Sequence, residues 1–589
     1  MPVILNGELT TFKMLLSSSA GAPAIEEIPS NLHVLDITVY HELNKIPYAC
    51  IRIVDGSAAD SDFAVSDAGN FSPGKNIDIK LGYNGIDESV FNGIIINNSH
   101  VLTGRRTTLS LICKHDAVKM TLSNKNRHFN DLSDSEIVEN LFQENGLSDL
   151  KMNPFGSLQE QMVQANVTDW DFALSRIDAN GKVCRVNGST LEVFSPDPSQ
   201  DPSLTLVYGE NLLGFRTESD IRSQSTAVRT FSWDYASQSV LESEGMPLEN
   251  ASPGNISPES HSEAHGQEFH IRTPATLDNQ TLQALADAKK QKQSLSKIKG
   301  KVKFQGSSEI KPGDWVELQG LGEQFNGKAF VSAVQHSYRT GNWFTEASLG
   351  WEEEFFSEKF NPFSVNADSG QFSRIQGLQV GIVTDIMDPK GEGRVRIRLP
   401  MVNPEDAGIW ARISALDAGN NRGTFFRPEI DDEVVVGFMN GDPSHPVILG
   451  MLHSSAKQTP FDPEDSNDKK GYVSRSEIKI TFHDGDKSIT IETPGGRTFT
   501  MDDNKGEIEV KDSNGNSLKM DSNGMTMDSP LKITITAGTT LNLAAPQIGI
   551  KADMTASFEA SGGMSVKSDG TAEIKGAMVD IQGSLVKIN

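Results

Sequence analysis

The chain has 589 residues, with 53 Lys+Arg against 79 Asp+Glu and a formal net charge of −26. Such a length predicts several domains, and such acidity argues against nucleic-acid binding and against electrostatic adsorption to anionic lipid. No apolar run approaches the roughly 18 residues of a membrane span, so no stable membrane insertion is expected. The N-terminal stretch MPVILNGELTTFKMLL lacks the basic lead of a secretory signal, which predicts synthesis in the cytoplasm without a signal peptide. Aromatics are only 7%, while Gly, Ser, Thr and Asn abound, so a mainly β fold is expected. Cys50, Cys113 and Cys184 lack metal-ligand spacing and read as buried thiols of a reducing compartment.

Residues 1–125 read as a first β-barrel-like domain, with β-branched, alternating runs at 34–40, 46–56, 75–83, 89–101 and 106–116. An insert follows over 126–296. Its first helix is expected at 133–146, where Ser133 and Glu136 form a capping box, Ile137, Leu141 and Phe142 a stripe, and Gly146 a stop. A second is expected at 168–180 behind Thr168, with Trp170, Leu174 and Ile177 facing inward, and a third at 277–296. The polar stretch 234–275 between them reads as a loop excursion. Residues 297–355 then repeat the first domain in outline. Pro73-Gly74, Phe91-Asn92-Gly93, His100, Gly104 and the strand at 108–111 return as Pro312-Gly313, Phe325-Asn326-Gly327, His336, Gly341 and the strand at 345–349. This predicts a second barrel-like domain, completed by strands from the insert. Three chains with two such domains each make a pseudo-sixfold ring, able to join a threefold body to a sixfold one.

Residues 356–376 read as a linker. Residues 377–456 pack five or six short strands and tight Gly/Asp turns into a length that suits a small barrel of the OB type. A polar linker, 457–474, leads to the last segment, 475–589.

That segment is a string of apolar pairs, each separated by one residue. They include Ile478/Ile480, Ile489/Ile491, Phe499/Met501, Ile508/Val510, Leu518/Met520, Ile533/Ile535, Leu541/Leu543, Ile548/Ile550, Met564/Val566, Val579/Ile581 and Val586/Ile588. Period-two alternation means strands with one buried side, and a fixed longer period means a repeated unit. Two or three inward residues per strand cannot make a core in one copy, and open strand edges invite partners. Three chains wound about one axis solve both problems, each strand pairing with strands of its neighbours. At about 4.8 Å per strand, about fourteen strands make a needle of about 60–70 Å. Ile533, Ile535, Leu541, Leu543, Ile548, Ile550, Val566, Ile574, Ile581 and Ile588 are the expected trimer core. Val586, Lys587, Ile588 and Asn589 are the expected tip surface. A single-chain solenoid wants wider coils, and a sandwich wants longer strands.

Catalytic and metal motifs are weak by comparison. His261, His265 and His270 show HxxxH spacing but sit in a Ser/Gly/Pro-rich stretch without the order of a zinc-protease helix. His100 and His336 occupy equivalent repeat positions, which favours a structural role. Asp431-Asp432-Glu433 and Asp502-Asp503 lie by turns, not opposed across a cleft. Ser444 and His445 are adjacent in sequence, unlike members of a triad. The GxG at 391–393 has no following helix to form a phosphate site. No cofactor or metal is expected.

The 377–456 domain resembles the OB domain of VgrG spikes from type VI secretion and related contractile injection systems. The resemblance rests on Gly393-Arg394-Val395, Trp410-Ala411-Arg412, Phe426-Arg427-Pro428, Asp432-Glu433-Val434 and Val436-Gly437-Phe438. It continues through Asn440-Gly441-Asp442-Pro443 and His445-Pro446-Val447-Ile448-Leu449-Gly450. Upstream, SPGKNIDIKLGY, TDWDFALSRIDANG and KPGD resemble the phage tail-hub part of the same family. The resemblance implies a non-enzymatic homotrimer: a hub on a tube of hexameric rings and among baseplate proteins, an OB collar, and a triple-stranded β-helix needle. It also implies a PAAR-type tip protein on the needle and effectors as cargo. The particle would then be delivered outside the cell or into a target cell. Some phage relatives carry a lysozyme between OB domain and needle, where this sequence has only the 457–474 linker, and others bind iron through tip histidines, of which none follows His483. The sequence stops at Asn589 within the last repeat, so an unadorned spike is expected. A tail spike with a cell-wall hydrolase role and a trimeric adhesin or tail fibre are the alternatives.

Overall fold

The computed structural model describes residues 9–588, apart from 21–22, 30–31, 60, 105, 256–265, 360–374 and 376. Two compact units emerge, Met1–Gln458 and Thr459–Asn589. The fold is mainly β, as the composition predicts.

The first unit is organised by two copies of a five-stranded element. The first copy comprises β1 (Val34–Glu42), β2 (Tyr48–Val54), β3 (Lys75–Tyr83), β4 (Ile86–Thr103) and β5 (Arg106–Lys114). The second comprises β6 (Leu212–Ser219), β7 (Ile298–Gln305), β8 (Trp315–Gln319), β9 (Gly327–Arg339) and β10 (Asn342–Leu349). The spatial orders match, β1-β2-β5-β4-β3 and β6-β7-β10-β9-β8. So do the irregularities. The register breaks at Leu35 in β1 and at Leu213 in β6, and again at Ile96 in β4 and Ser332 in β9. Alternation explains the strands: Ala49, Ile51 and Ile53 of β2 are buried while Tyr48 and Arg52 point out. They meet Ile77, Ile79, Leu109 and Leu111 in one core, while Val302, Phe304, Val316, Leu318 and Ala347 fill the counterpart.

Two features differ from the sequence reading. The copies are not separate barrels, because β9 is long enough to serve two partners. Its start pairs with β8 and its end, Ala333–Arg339, pairs with β1, so one sheet runs through both copies. The Phe-Asn-Gly tripeptides are also not equivalent. Phe91 lies opposite Ile79 inside β4, whereas the residue at its place in β9, opposite Leu318, is Gly327. Pro73-Gly74 with Pro312-Gly313 and His100 with His336 do coincide, whereas Gly341 falls one place beyond the counterpart of Gly104.

Between the copies stand α1 (Asp134–Glu144), capped by Ser133 with Glu136 returning the bond, and α2 (Asp169–Ala179), capped by Thr168. Farther on comes α3 (Asn279–Ser296), capped by Asp278. The stretch expected as a loop at 234–275 contains strands Ser239–Glu244 and Phe269–Thr273, flanking Val228–Asp234 in a three-stranded sheet. Three of its inward residues, Thr230, Ser232 and Thr273, are small and polar, which hid the alternation. Thr230 Oγ1 donates to the Leu282 carbonyl of α3 at 3.0 Å, and Ser232 Oγ to the Ala275 carbonyl at 2.8 Å.

A closed barrel follows: β11 (Gln379–Asp385), β12 (Val395–Arg398), β13 (Ile409–Ile413), β14 (Glu433–Phe438) and β15 (Pro446–Met451), in the order β11-β12-β13-β15-β14.

In the second unit, seven strands form an antiparallel meander. They are β16 (Lys469–Val473), β17 (Lys479–His483), β18 (Ser488–Glu492), β19 (Thr498–Asp502), β20 (Glu507–Lys511), β21 (Ser517–Asp521) and β22 (Gly524–Asp528). Here the strands pair within the chain, not with neighbours as expected, because tight turns such as that around Gly506 and Gly524, both at positive φ, return each strand beside the last. From 529 to 588 no helix or strand is formed. No helix of the described residues is long and apolar enough to cross a membrane.

Candidate functional site

The meander's register aligns the apolar pairs into two columns. One runs Tyr472, Ile480, Ile491, Phe499, Val510, Leu518 and Met527; the other runs Phe482, Ile489, Met501, Ile508, Met520 and Met525. The other face carries Thr481, Thr490, Thr500, Glu509, Lys519 and Thr526. Most members of the apolar columns are exposed. A single-layer sheet with one bare apolar face is unstable alone and marks an interaction surface.

Beyond the meander the pattern persists without a ladder. Ile533, Ile535, Leu541, Leu543, Ile548, Ile550, Val566, Ile574, Ile581 and Ile588 are all exposed, Ile574 by 80%. The tip residues Val586, Lys587 and Ile588 are likewise exposed, and Asn589 lies outside the described residues. About sixty residues of alternating sequence thus have neither a core nor a strand ladder in one chain. Unpaired strand backbone in such a run seeks another chain.

The barrel motif residues are architectural. Gly393 and Gly441 take positive φ at turns, of 74° and 72°. Val395 and Val434 are fully buried in the barrel core. A side chain at Gly437 would meet Leu449 at 3.2 Å, and one at Gly450 would touch Val435. Pro428, Pro443 and Pro446 are buried, Glu433 opens β14, and Asp442 accepts from the Ser444 amide at 2.9 Å. Trp410 lies under the guanidinium groups of Arg394 and Arg396, at 5.7 and 5.9 Å.

Arg394 carries a seam that the sequence did not reveal. The strand Leu158–Thr168 inserts Val163 and Ala165 into the barrel's core. On it, Glu160 accepts from Arg394 at 2.9 and 3.0 Å, while Asp388 takes the other edge of the guanidinium at 2.9 and 3.1 Å. Gln161 locks the register by accepting from the Trp410 amide and donating to the Trp410 and Ser444 carbonyls. The Arg394 hydrogen bonds hold the Asp388 carboxyl well below the usual range. Burial opposes ionisation of Glu160, but Arg394 and Lys390 outweigh it and lower its pKa. Residues more than 200 apart in sequence meet here, so no local motif could have shown it.

The weaker motifs find ordinary partners. Ser444 Oγ accepts from the Val163 amide at 3.2 Å, and His445 faces Asp442 at 3.8 Å. Asp432 and Asp502 accept backbone N–H groups at turns, from Glu429 and Lys505. His270 pairs with Glu268 at 3.0 Å, whereas His261 and His265 lie outside the described residues. His100 bonds Ser66 Oγ, and His336 is buried against Thr345, with burial pushing its pKa down to about 3. Cys113 and Cys184 are buried, and burial raises both thiols, Cys184 to about 12.

Comparison with known proteins places this architecture. Residues 18–340 match the family described as Alg8 N-terminal domain, and residues 379–453 match the type VI secretion system/phage-baseplate injector OB domain. The spike protein VgrG1c of the Pseudomonas aeruginosa type VI secretion system is 30% identical over 156 residues, 24% of this chain and 20% of that protein. VgrG3 of Vibrio cholerae, also named a type VI spike protein, is 29% identical over 91 residues, 14% of this chain and 9% of its own length. The matched stretches thus span a fifth or less of these curated relatives. In fold, the chain is similar to one in the Francisella PdpA–VgrG complex (TM-score 0.54, 11% identity, covering 87% of this chain and 81% of that one). With its repeated two-copy sheet, its injector-type OB barrel and its strand-repeat tail, the chain is similar to VgrG spike proteins, and through residues 18–340 it belongs to the Alg8 N-terminal domain family.

Proposed function

We propose that this chain is the non-enzymatic, homotrimeric spike of a contractile injection system. The observation that carries the reading is the unsatisfied apolar ladder of 475–588 on a VgrG-type chain. Three copies bury the two columns of β17–β22 against one another and supply the missing strand partners for 529–588. The trimeric hub then sits on a hexameric inner tube and among baseplate proteins, and the OB barrels form its collar. Val586 to Asn589 present strand ends to a PAAR-type tip protein, and effectors travel with the spike. Contraction supplies the force, so the acidic chain need not attract the membrane it punctures. The spike is made in the bacterial cytoplasm and delivered outside the cell or into a target cell.

The test is genetic. Deleting the gene in the producing bacterium should abolish assembled sheath–tube particles and killing or intoxication of target cells, and the full chain should restore both. Particles that assemble and deliver normally without this chain contradict the proposal. Clearing of peptidoglycan by the purified chain would instead favour a hydrolase.

A further inference from the structure

Where β1 meets β9, the first unit holds a recess lined by basic side chains. The two strands pair antiparallel, with His41 opposite Val334 and His336 opposite Val39. Period two puts both imidazoles on one face of the sheet, and their ring centres lie 6.3 Å apart. His115 enters from just after β5, Arg185 from the insert strand Val183–Asn187, and Lys311 from the loop between β7 and β8. Together they line a cavity of about 70 Å³, several times the roughly 10–15 Å³ that one water needs. In a chain of net charge −26, five basic side chains converge here, and among the described residues no Asp or Glu lines the cavity.

Two of the five are already satisfied. Arg185 donates to Glu192 at 2.7 Å, to Asp314 at 2.8 Å and to the Pro312 carbonyl at 3.0 Å, so its charge is compensated. His115 Nδ1 accepts from the Ala117 amide at 3.1 Å, and its ring also donates to the Gly188 carbonyl. Asp116, beside it, is paired with Lys119. The other three keep a free nitrogen. His41 Nε2 donates to the Val90 carbonyl at 2.7 Å, which leaves Nδ1. His336 Nδ1 meets Thr345 Oγ1 at 3.1 Å, which leaves Nε2. The Lys311 ammonium has no hydrogen bond or ion pair among the described residues; only its backbone N–H is engaged, by Asp314. Burial holds the pKa of His41 and of His336 down, and His115 and Lys311 lower that of His41 further. An uncompensated ammonium beside two imidazoles that resist protonation lacks a counter-ion.

We infer that this cavity binds one small tetrahedral oxyanion, of the sulfate or phosphate class, in each chain. Lys311 supplies the fixed charge. With Thr345 Oγ1 donating to its Nδ1, His336 carries its proton on Nε2 and donates as a neutral ring. His41 already donates from Nε2, so its Nδ1 joins the anion only by taking up a proton. A tetrahedral anion offers four oxygens to donors that arrive from three separate elements, which a spherical halide does not. The bound anion ties β1 to β9 and to the loop before β8. Every lining residue belongs to one chain, so the inference stands independently of the trimer and of the spike reading. The pH dependence has a definite sign. In the empty site His41 titrates below the ordinary histidine value of about 6.5, and the anion favours its charged form. Affinity therefore rises as pH falls, by up to about tenfold per pH unit for one proton taken up.

The test is equilibrium dialysis of the full-length protein against radiolabelled sulfate, in chloride buffer of constant ionic strength, at about pH 6 and about pH 8. Sulfate stays a dianion throughout, so any pH dependence belongs to the protein. Binding should saturate at one sulfate per chain and be tighter at the lower pH. Lys311→Gln should weaken it by about tenfold or more, whereas Lys457→Gln, which removes the same charge from an exposed position, should leave it unchanged. Melting separates a ligand site from a packing residue. Because the Lys311 ammonium has no partner to lose, Lys311→Gln should melt no lower than the unmodified protein without sulfate, and lower than it once sulfate saturates the unmodified protein. A variant that melts lower even without sulfate makes Lys311 an ordinary structural residue and overturns the site. So does the absence of saturable binding, or binding that Lys311→Gln leaves intact. Equal affinity at the two pH values overturns the part given to His41.

Discussion

An Ile574→Asp chain is expected to lose the trimeric needle. In one chain Ile574 is 80% exposed, so the substitution costs the isolated chain nothing in packing. In the proposed trimer the change occurs three times about one axis. Each copy forfeits an apolar side chain, about 2–5 kcal/mol. Each also buries an uncompensated carboxylate near two others, several kcal/mol more. The total exceeds the roughly 5–15 kcal/mol that holds a typical fold together. Native mass should fall or the second unit should become protease-sensitive, while the hub's secondary structure persists. A soluble, fully trimeric Ile574→Asp protein with a protected tail would contradict the threefold core.

The second large effect is expected at Arg394. Its side chain is 6% exposed and that of Asp388 is 3% exposed, and Glu160 shares the same guanidinium. Arg394→Ala leaves two carboxylates facing each other across the barrel seam, one of them buried. Removing one partner of a buried pair costs about 3–5 kcal/mol. The barrel should therefore melt earlier in calorimetry, and Trp410, which loses one of its two guanidinium neighbours, should change its fluorescence. The pH dependence has a definite sign. Both carboxylates are held below their ordinary values, so the unfolded chain binds more protons as the medium turns acidic. The seam's contribution is complete above about pH 4–5 and is lost as pH falls toward the folded values. In Arg394→Ala that acid-dependent loss should largely vanish. An unchanged melting profile in the variant would mean that the seam is held by its apolar contacts alone.

What the sequence exposes and what it hides divide along physical lines. Helix caps are local, so Ser133 and Thr168 could be read where they stand. Period-two alternation marked the strands of the first hub copy and of the meander because one face of each is apolar. It failed in the sheet around Val228–Asp234, where Thr230 and Ser232 point inward and bond to carbonyls. The repeat was visible through Pro-Gly turns and His336, yet its register was not. A tripeptide match misplaced two residues that only the pairing of β4 with β3 and of β9 with β8 corrects. The apolar pairs of the tail marked strands with one apolar face but not how those strands pair. Short turns fold 469–528 on itself, whereas 529–588 finds no partner in its own chain. The Arg394–Glu160 seam joins residues far apart in sequence, and such charge pairs leave no periodic trace.

The most direct measurement is native mass of the full chain beside a 1–474 truncation. One chain is 64.1 kDa, so three make about 192 kDa. The account predicts a full-length species near that mass that resists dilution, and a truncation that dissociates more readily for want of the apolar columns. A folded, full-length monomer that leaves those columns open to water would contradict the shared needle and the spike function built on it.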